Sequence, residues 1–123
     1  MTLIQELGRC GEDIAAEYIL SLGWKVLARN VRNQYGELDI TAIDDSELVI
    51  VEVRARTVGK MQPPLTSIGP RKLRTLVKSS MEFVSEVEWD GFWRIDVIGI
   101  TFHDDTWTLE HIKDITAGMN ILS

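Results

Sequence analysis

Two short stretches carry most of the constraint. From Glu37 to Ile43, Leu38, Ile40 and Ala42 alternate with Glu37, Asp39 and Thr41, and Leu48 to Arg54 is a second run rich in valine and isoleucine. Alternation with a period of two is the pattern of a strand with one buried face. Only Asp44-Asp45-Ser46-Glu47 separates the two runs. A turn that short joins antiparallel neighbours, whereas parallel ones need a crossover of a dozen or more residues. The pair therefore sets the middle of a sheet, and the rest of the chain has to cover it.

The flanking sequence supplies that cover. Gly8 to Leu22 reads as a helix, with Ile14, Ala15, Tyr18, Ile19 and Leu22 at helical spacing and Gly23 as its stop. Trp24 to Asn30 reads as a strand. After the hairpin, Val58 to Gly69 is a loop punctuated by Gly59, Pro63, Pro64 and Gly69, and Pro70 opens a second helix to about Val87. Phe92 to Phe102 and Trp107 to Ile115 read as strands around a turn at His103-Asp104-Asp105. The expected fold is α/β: a small mixed five-stranded sheet flanked by helices, in the order helix, three strands, helix, two strands. The central strand–helix–strand unit implies a right-handed crossover.

A chain of 123 residues, 45% hydrophobic and 26% charged, has the size and balance of one globular domain. We read residues 1–123 as that domain, with a core over about 8–115 and a tail at 116–123. Cys10 is the sole cysteine, which excludes an internal disulfide and cysteine-pair zinc sites and suits a reducing compartment. Beside a helix glycine, Cys10 reads as a small buried residue. The longest aliphatic run, Leu48 to Val51, is too short for a membrane span, and Met1 to Arg9 lacks a signal-peptide pattern. The expectation is a cytoplasmic protein with no membrane partner.

The net charge of −6 argues against nucleic acid. Its distribution argues the other way. Val53 to Met81 holds Arg54, Arg56, Lys60, Arg71, Lys72, Arg74 and Lys78 and no acid, a local +7 that leaves −13 on the rest. Such asymmetry points to an anionic partner. The alternative is a solvated helix face and loop, balanced by acids elsewhere in the fold.

Two acids stand out. Asp39 and Glu52 each sit inside apolar strand sequence, where a carboxylate is costly unless compensated. A hairpin closing around Asp44 to Glu47 brings them together if the register allows. Adjacent carboxylates repel, and a divalent cation relieves that; Mg²⁺ takes one or two carboxylates plus waters and substrate phosphates. The competing reading pairs Glu52 with Arg54 or Arg56, and Asp39 with Arg29 or Arg32. Asp96, between Ile95 and Val97, either supports the site through an outer contact or pairs with Arg94. His103 reads as solvated, His111 lies on the last strand, and Trp24, Trp89, Trp93 and Trp107 read as packing residues rather than base-stacking ones.

The chain also resembles a known family. Gly11-Glu12 with Ala15, Ala16 and Tyr18-Ile19-Leu20, then Gly23-Trp24 and Leu27-Ala28-Arg29-Asn30, resemble the opening of the YraN-like family of small bacterial proteins. Gly36-Glu37-Leu38-Asp39-Ile40, Val49-Ile50-Val51-Glu52-Val53-Arg54-Ala55-Arg56, Lys72 and Arg94-Ile95-Asp96-Val97-Ile98 continue the match in order, over about residues 8 to 113. That family is similar to the restriction-endonuclease-like, PD-(D/E)xK fold and to archaeal Holliday junction resolvases. The resemblance implies Mg²⁺ or Mn²⁺ at Asp39, Glu52 and the Val53 carbonyl, with Glu12 assisting the water. It also implies Arg71 and Lys72 on phosphates. The basic stretch, Arg56, Lys60, Arg71, Lys72, Arg74 and Lys78, then tracks a DNA backbone, branched DNA included. A homodimer is implied by analogy with resolvases.

At one position the sequence departs from the signature: Arg54 stands where lysine is expected. Lysine sheds a proton when its pKa falls, and arginine does not; in the implied endonuclease Arg54 would serve by stabilising charge at the scissile phosphate. The implied endonuclease therefore has two rivals, a nuclease-fold module that binds nucleic acid without cutting and a protein-interaction module.

Overall fold

The computed structural model describes residues 3–59 and 67–117. Helix α1 (Leu3–Ser21) is followed by strands β1 (Lys25–Asn33), β2 (Gly36–Asp44) and β3 (Glu47–Thr57), helix α2 (Pro70–Glu86), and strands β4 (Trp93–Phe102) and β5 (Trp107–Ile112). The sheet order is β1-β2-β3-β4-β5, with every pairing antiparallel except β3 with β4. The element order and the mixed sheet are those expected. Lys60 and residues 118–123 of the expected tail lie outside the described residues.

The helices cover opposite faces. On the α1 side, Ala15, Ile19 and Trp24 pack with Ile40, Val51 and Ile98; on the α2 side, Leu76 and Phe83 pack with Leu38, Leu48, Ile50 and Ile95. Trp24 belongs to the first cluster and Trp89 and Trp93 pack against the second, while Trp107 is exposed.

Element ends differ where the backbone does something local. α1 begins at Leu3 rather than Gly8, running through both glycines. Gly11 faces β3 so closely that a Cβ there would lie 3.0 Å from the Ala55 Cβ. Because Gly11 takes the sheet-facing position, its neighbour Cys10 is exposed and not buried as expected. Gly11→Leu adds a good helix former, yet it is expected to cost about 1–3 kcal/mol by forcing α1 off the sheet, read as a lower urea midpoint. The helix stops as expected: with Gly23 at φ +87°, the Gly23 and Trp24 amides donate to the Leu20 and Ile19 carbonyls, the Schellman pattern. β5 ends at Ile112 rather than Ile115. Asp114, at φ +52°, turns the chain so that its amide donates to Asp96 and the Ile115 amide to the Ile95 carbonyl.

One irregularity shapes the site. Side chains two apart in a regular strand share a face. Leu38 packs on the α2 side and Ile40 on the α1 side. On β1, Arg29 reaches the α1 acids while Val31 packs on the α2 side. The register Arg29↔Ile40 and Val31↔Leu38 sets Asn30 across from Asp39. Asn30 has φ +54°, so both strands change face at this pair.

On β4, where Asp96 pairs with Val51, lies a buried polar network. Asp96 is fully buried. Its carboxylate accepts from Arg94 Nε (3.0 Å), the Asp114 amide (2.9 Å) and, on the other oxygen, His111 Nε2 (2.8 Å). His111 Nδ1 lies 3.0 Å from the Tyr18 hydroxyl. Arg94 also donates to Asp44 and Glu47 and stacks over Trp24. The expected Arg94 pairing of Asp96 is present, and His111 joins it. Burial alone would push Asp96 up, but His111, Arg94 and the Asp114 amide hold it below the ordinary carboxylate value.

Candidate functional site

The β2–β3 pairing runs from Asp44↔Glu47 to Ile40↔Val51. One step further along that register, Asp39 meets Glu52. Here the strands part, and Asp39 Oδ2 accepts the Val53 amide at 2.8 Å. In an antiparallel ladder the N–H and C=O of one residue point the same way, so the Val53 carbonyl faces the same gap. Glu52 is only 3% exposed, on the α2 face. Its Oε2 lies 3.5 Å from Arg54 Nη1 and 3.5 Å from Lys72 Nζ in the first turn of α2.

Both cations lie at Glu52, and Asp39 has no ion pair of its own among the described residues. Burial, then the Glu52 charge, push the Asp39 carboxyl up to about 7, and a hydrogen bond between the two carboxyls adds to this; the Val53 amide and Lys72 oppose it. Asp39 therefore holds its proton at pH values where an exposed carboxyl has lost it.

Glu12 approaches from the other face. Arg29 Nε donates to its Oε1 at 3.2 Å, and Arg29 Nη2 donates to Asp13 at 2.7 Å. Burial raises the Glu12 pKa, Arg29 opposes, and the Asp39 charge raises it further. The expected partners of Asp39 are thus elsewhere: Arg29 serves Glu12 and Asp13, and Arg32 serves Glu37. Glu52 does pair with Arg54, as one reading had it, but its second cation is Lys72. Arg56 instead donates to Thr101 Oγ1 across β3 and β4, at 2.8 Å.

The sequence matches a recognisable group. Residues 11–100 match the profile described as uncharacterised protein family UPF0102. The chain belongs to the UPF0102 family. A UPF0102 protein of Chlorobium chlorochromatii (strain CaD3) is 36% identical over 115 residues, covering 89% of this chain and 89% of that protein. One from Marinobacter nauticus is 37% identical over 112 residues, covering 89% and 91%. One from Thermodesulfovibrio yellowstonii is 36% identical over 109 residues, covering 89% and 94%. The motif resemblance to YraN-like proteins is to this same family.

In this UPF0102 chain the structure gathers Asp39, Glu52, Val53, Arg54 and Lys72, with Glu12 adjacent. Arg71, Arg74 and Lys78 do not join them. Their spacing along α2 sets them on one exposed stripe, where Lys78 lines a surface cavity with Tyr35, Met81 and Glu82. Among the described residues, no three acid, imidazole or thiol groups converge as a metal cage. No described helix is long and apolar enough to cross a membrane.

Sequence reasoning missed two participants and the pairing of a third. Asn30, at its left-handed position, helps hold the Glu12 pKa down. Ser67 receives Arg54, from Nε to Oγ at 3.0 Å and from Nη2 to the carbonyl at 3.4 Å. Lys72 was read only as a phosphate contact. A signal for it existed: Arg71 and Lys72 place two cations, and no acid, in the first turn of α2, against the helix dipole.

Proposed function

We propose that this UPF0102 chain binds DNA, branched DNA included, and hydrolyses its phosphodiester bonds with Mg²⁺ or Mn²⁺ held at Asp39 and Glu52. The observation that carries this reading is the meeting of the two carboxylates where β2 and β3 part. The donor set fits such an ion: two adjacent carboxyls, one of them holding its proton up to about pH 7 for want of a cation of its own, and a strand carbonyl facing the same gap. Mg²⁺ binds through few protein oxygens and keeps its waters, so no closed cage is needed. When bound, the cation supplies Lewis acidity, offsetting phosphate charge and making water a better nucleophile.

The chain's own groups do the rest. Asp39, Glu52 and the Val53 carbonyl hold the ion, Glu12 orients the water from the α1 face, and the cations beside Glu52 meet the phosphate charge. A water oxygen bonds to phosphorus and the bond from phosphorus to the leaving oxygen breaks. The water's proton passes to a carboxylate or solvent, and the leaving oxygen takes one from solvent. One water is consumed, giving a phosphomonoester and a free hydroxyl. Arg71, Arg74 and Lys78 line the path of the DNA backbone, and a homodimer, as the resolvase resemblance implies, would present two such sites.

The test is a labelled panel of linear duplex, single strand, flap and four-way junction, with Mg²⁺, Mn²⁺ or EDTA. Cutting that needs the metal is the expected result. The arginine at position 54, tied to Ser67, favours a second reading, binding without cutting. That reading predicts EDTA-insensitive affinity that falls steeply with salt, by a slope of about −0.9 per phosphate contact. Neither cutting nor binding would overturn both and leave a protein partner.

A further inference from the structure

Two cations share one buried carboxylate oxygen here, and their surroundings differ. Arg54 is held in three places, by Glu52 through Nη1 and by Ser67 through Nε and Nη2. Its side chain is 29% exposed. That fork fastens β3 to the segment just before α2, and moving it breaks three contacts at once. Lys72 reaches the same Glu52 oxygen through one ammonium on a flexible stem, with 45% of its side chain exposed. Its charge also acts on Asp39.

Nothing on α2 itself accounts for a lysine there. The first turn contains no acid, Gly69 gives no side-chain cap, and the helix dipole disfavours a cation at that end. The same dipole favours an anion beside the ammonium. Lys72 therefore stands between two negative partners, the carboxylate it touches and any phosphate brought to the start of α2.

We propose, building on the metal-dependent reading above, that Lys72 is the movable cation of this site. It neutralises Glu52 when no divalent cation is present and turns to the phosphate oxygens when one is, while Arg54 holds Ser67 in position. The task expected of the residue two beyond Glu52 thus falls to a lysine from another element. A compact, strongly hydrated ammonium suits exchange between partners, and a pinned guanidinium fork does not. No covalent step is added to the hydrolysis.

The proposal separates two readouts. Lys72→Met removes a charge that competes with the metal, so Mn²⁺ binding to the DNA-free protein, counted as free Mn²⁺ by EPR, should tighten about tenfold. The same variant should cut DNA about 100-fold more slowly at saturating Mn²⁺. Lys72→Arg should restore the weaker Mn²⁺ binding but little of the cutting. Arg54 still faces Glu52 in both variants, and a thermal melt checks the fold. Unchanged or weaker Mn²⁺ binding by Lys72→Met overturns the proposal. So does full cutting by Lys72→Met beside loss of cutting in Arg54→Met, which would return the role to Arg54 and leave the nuclease reading standing. A natural chain that neither binds Mn²⁺ nor cuts overturns both.

Discussion

Asp39→Asn should gain stability while losing activity. Asparagine keeps an oxygen for the Val53 amide and removes the charge that Glu52 opposes. The folded Asp39 carboxyl is pushed up to about 7, by burial first and then by Glu52; unfolded, it titrates near the ordinary value. Between those limits the folded chain binds a proton that the unfolded chain does not. This acid therefore makes folding less favourable as pH rises from about 4 to 7, with no further change beyond. Urea titrations in EDTA should show the variant and the natural chain diverging over that range. By pH 8 the variant should be ahead by on the order of 2–4 kcal/mol. Metal-dependent cutting should meanwhile fall more than about 100-fold, since even outer partners of metal ligands cost 10–100-fold. A variant less stable than the natural chain at pH 8 would show that the carboxylate is not strained by its surroundings. A variant that still cuts at full rate would remove Asp39 from the site.

Asp96→Ala should produce the opposite outcome, a large loss of stability. Arg94 is nine-tenths buried and His111 more so, and both lean on this carboxylate. Removing one member of a buried ionic cluster leaves the others uncompensated, at about 3–5 kcal/mol. The depressed folded pKa sets the pH dependence: Asp96 stabilises fully above its unfolded value, and that stability is lost as pH falls through the folded value. The gap between natural chain and variant should therefore narrow in acid. Near-neutral guanidinium melts of Asp96→Ala and Asp96→Asn give the magnitude, and a change below about 1 kcal/mol would mean the cluster relaxes without cost.

The two acids were not equally legible in the sequence. The hairpin and its short turn were legible, with the register left open, and the register of the structure brings Asp39 to Glu52. The strand–helix–strand unit likewise dictated the parallel β3–β4 pair. What could not be read was anything set by departures from regular geometry. The face change at Asn30 and Asp39 depends on a left-handed asparagine inside a strand. The network at Asp96 joins residues up to 93 positions apart, through Tyr18 and His111. Arg29, one of the two partners the competing reading offers Asp39, meets Glu12 and Asp13 instead, because that face change turns it to the α1 side. Arg54 and Lys72 were both picked out, but sequence proximity favoured the residue two positions from Glu52 and hid the one twenty positions away.

The solitary parallel pairing also has a consequence for synthesis. β1, β2 and β3 form a meander whose contacts are all local, so they can assemble as they leave the ribosome. β3, the most apolar of them, then presents an unpaired edge until β4 arrives, with Phe102 made forty-five residues after Thr57. At ribosomal rates that interval is about 2–9 s, long against the microseconds a hairpin needs. The strand that carries Glu52 is therefore the one most open to wrong pairing in the nascent chain, and translation speed through the 58–92 stretch sets how long it waits.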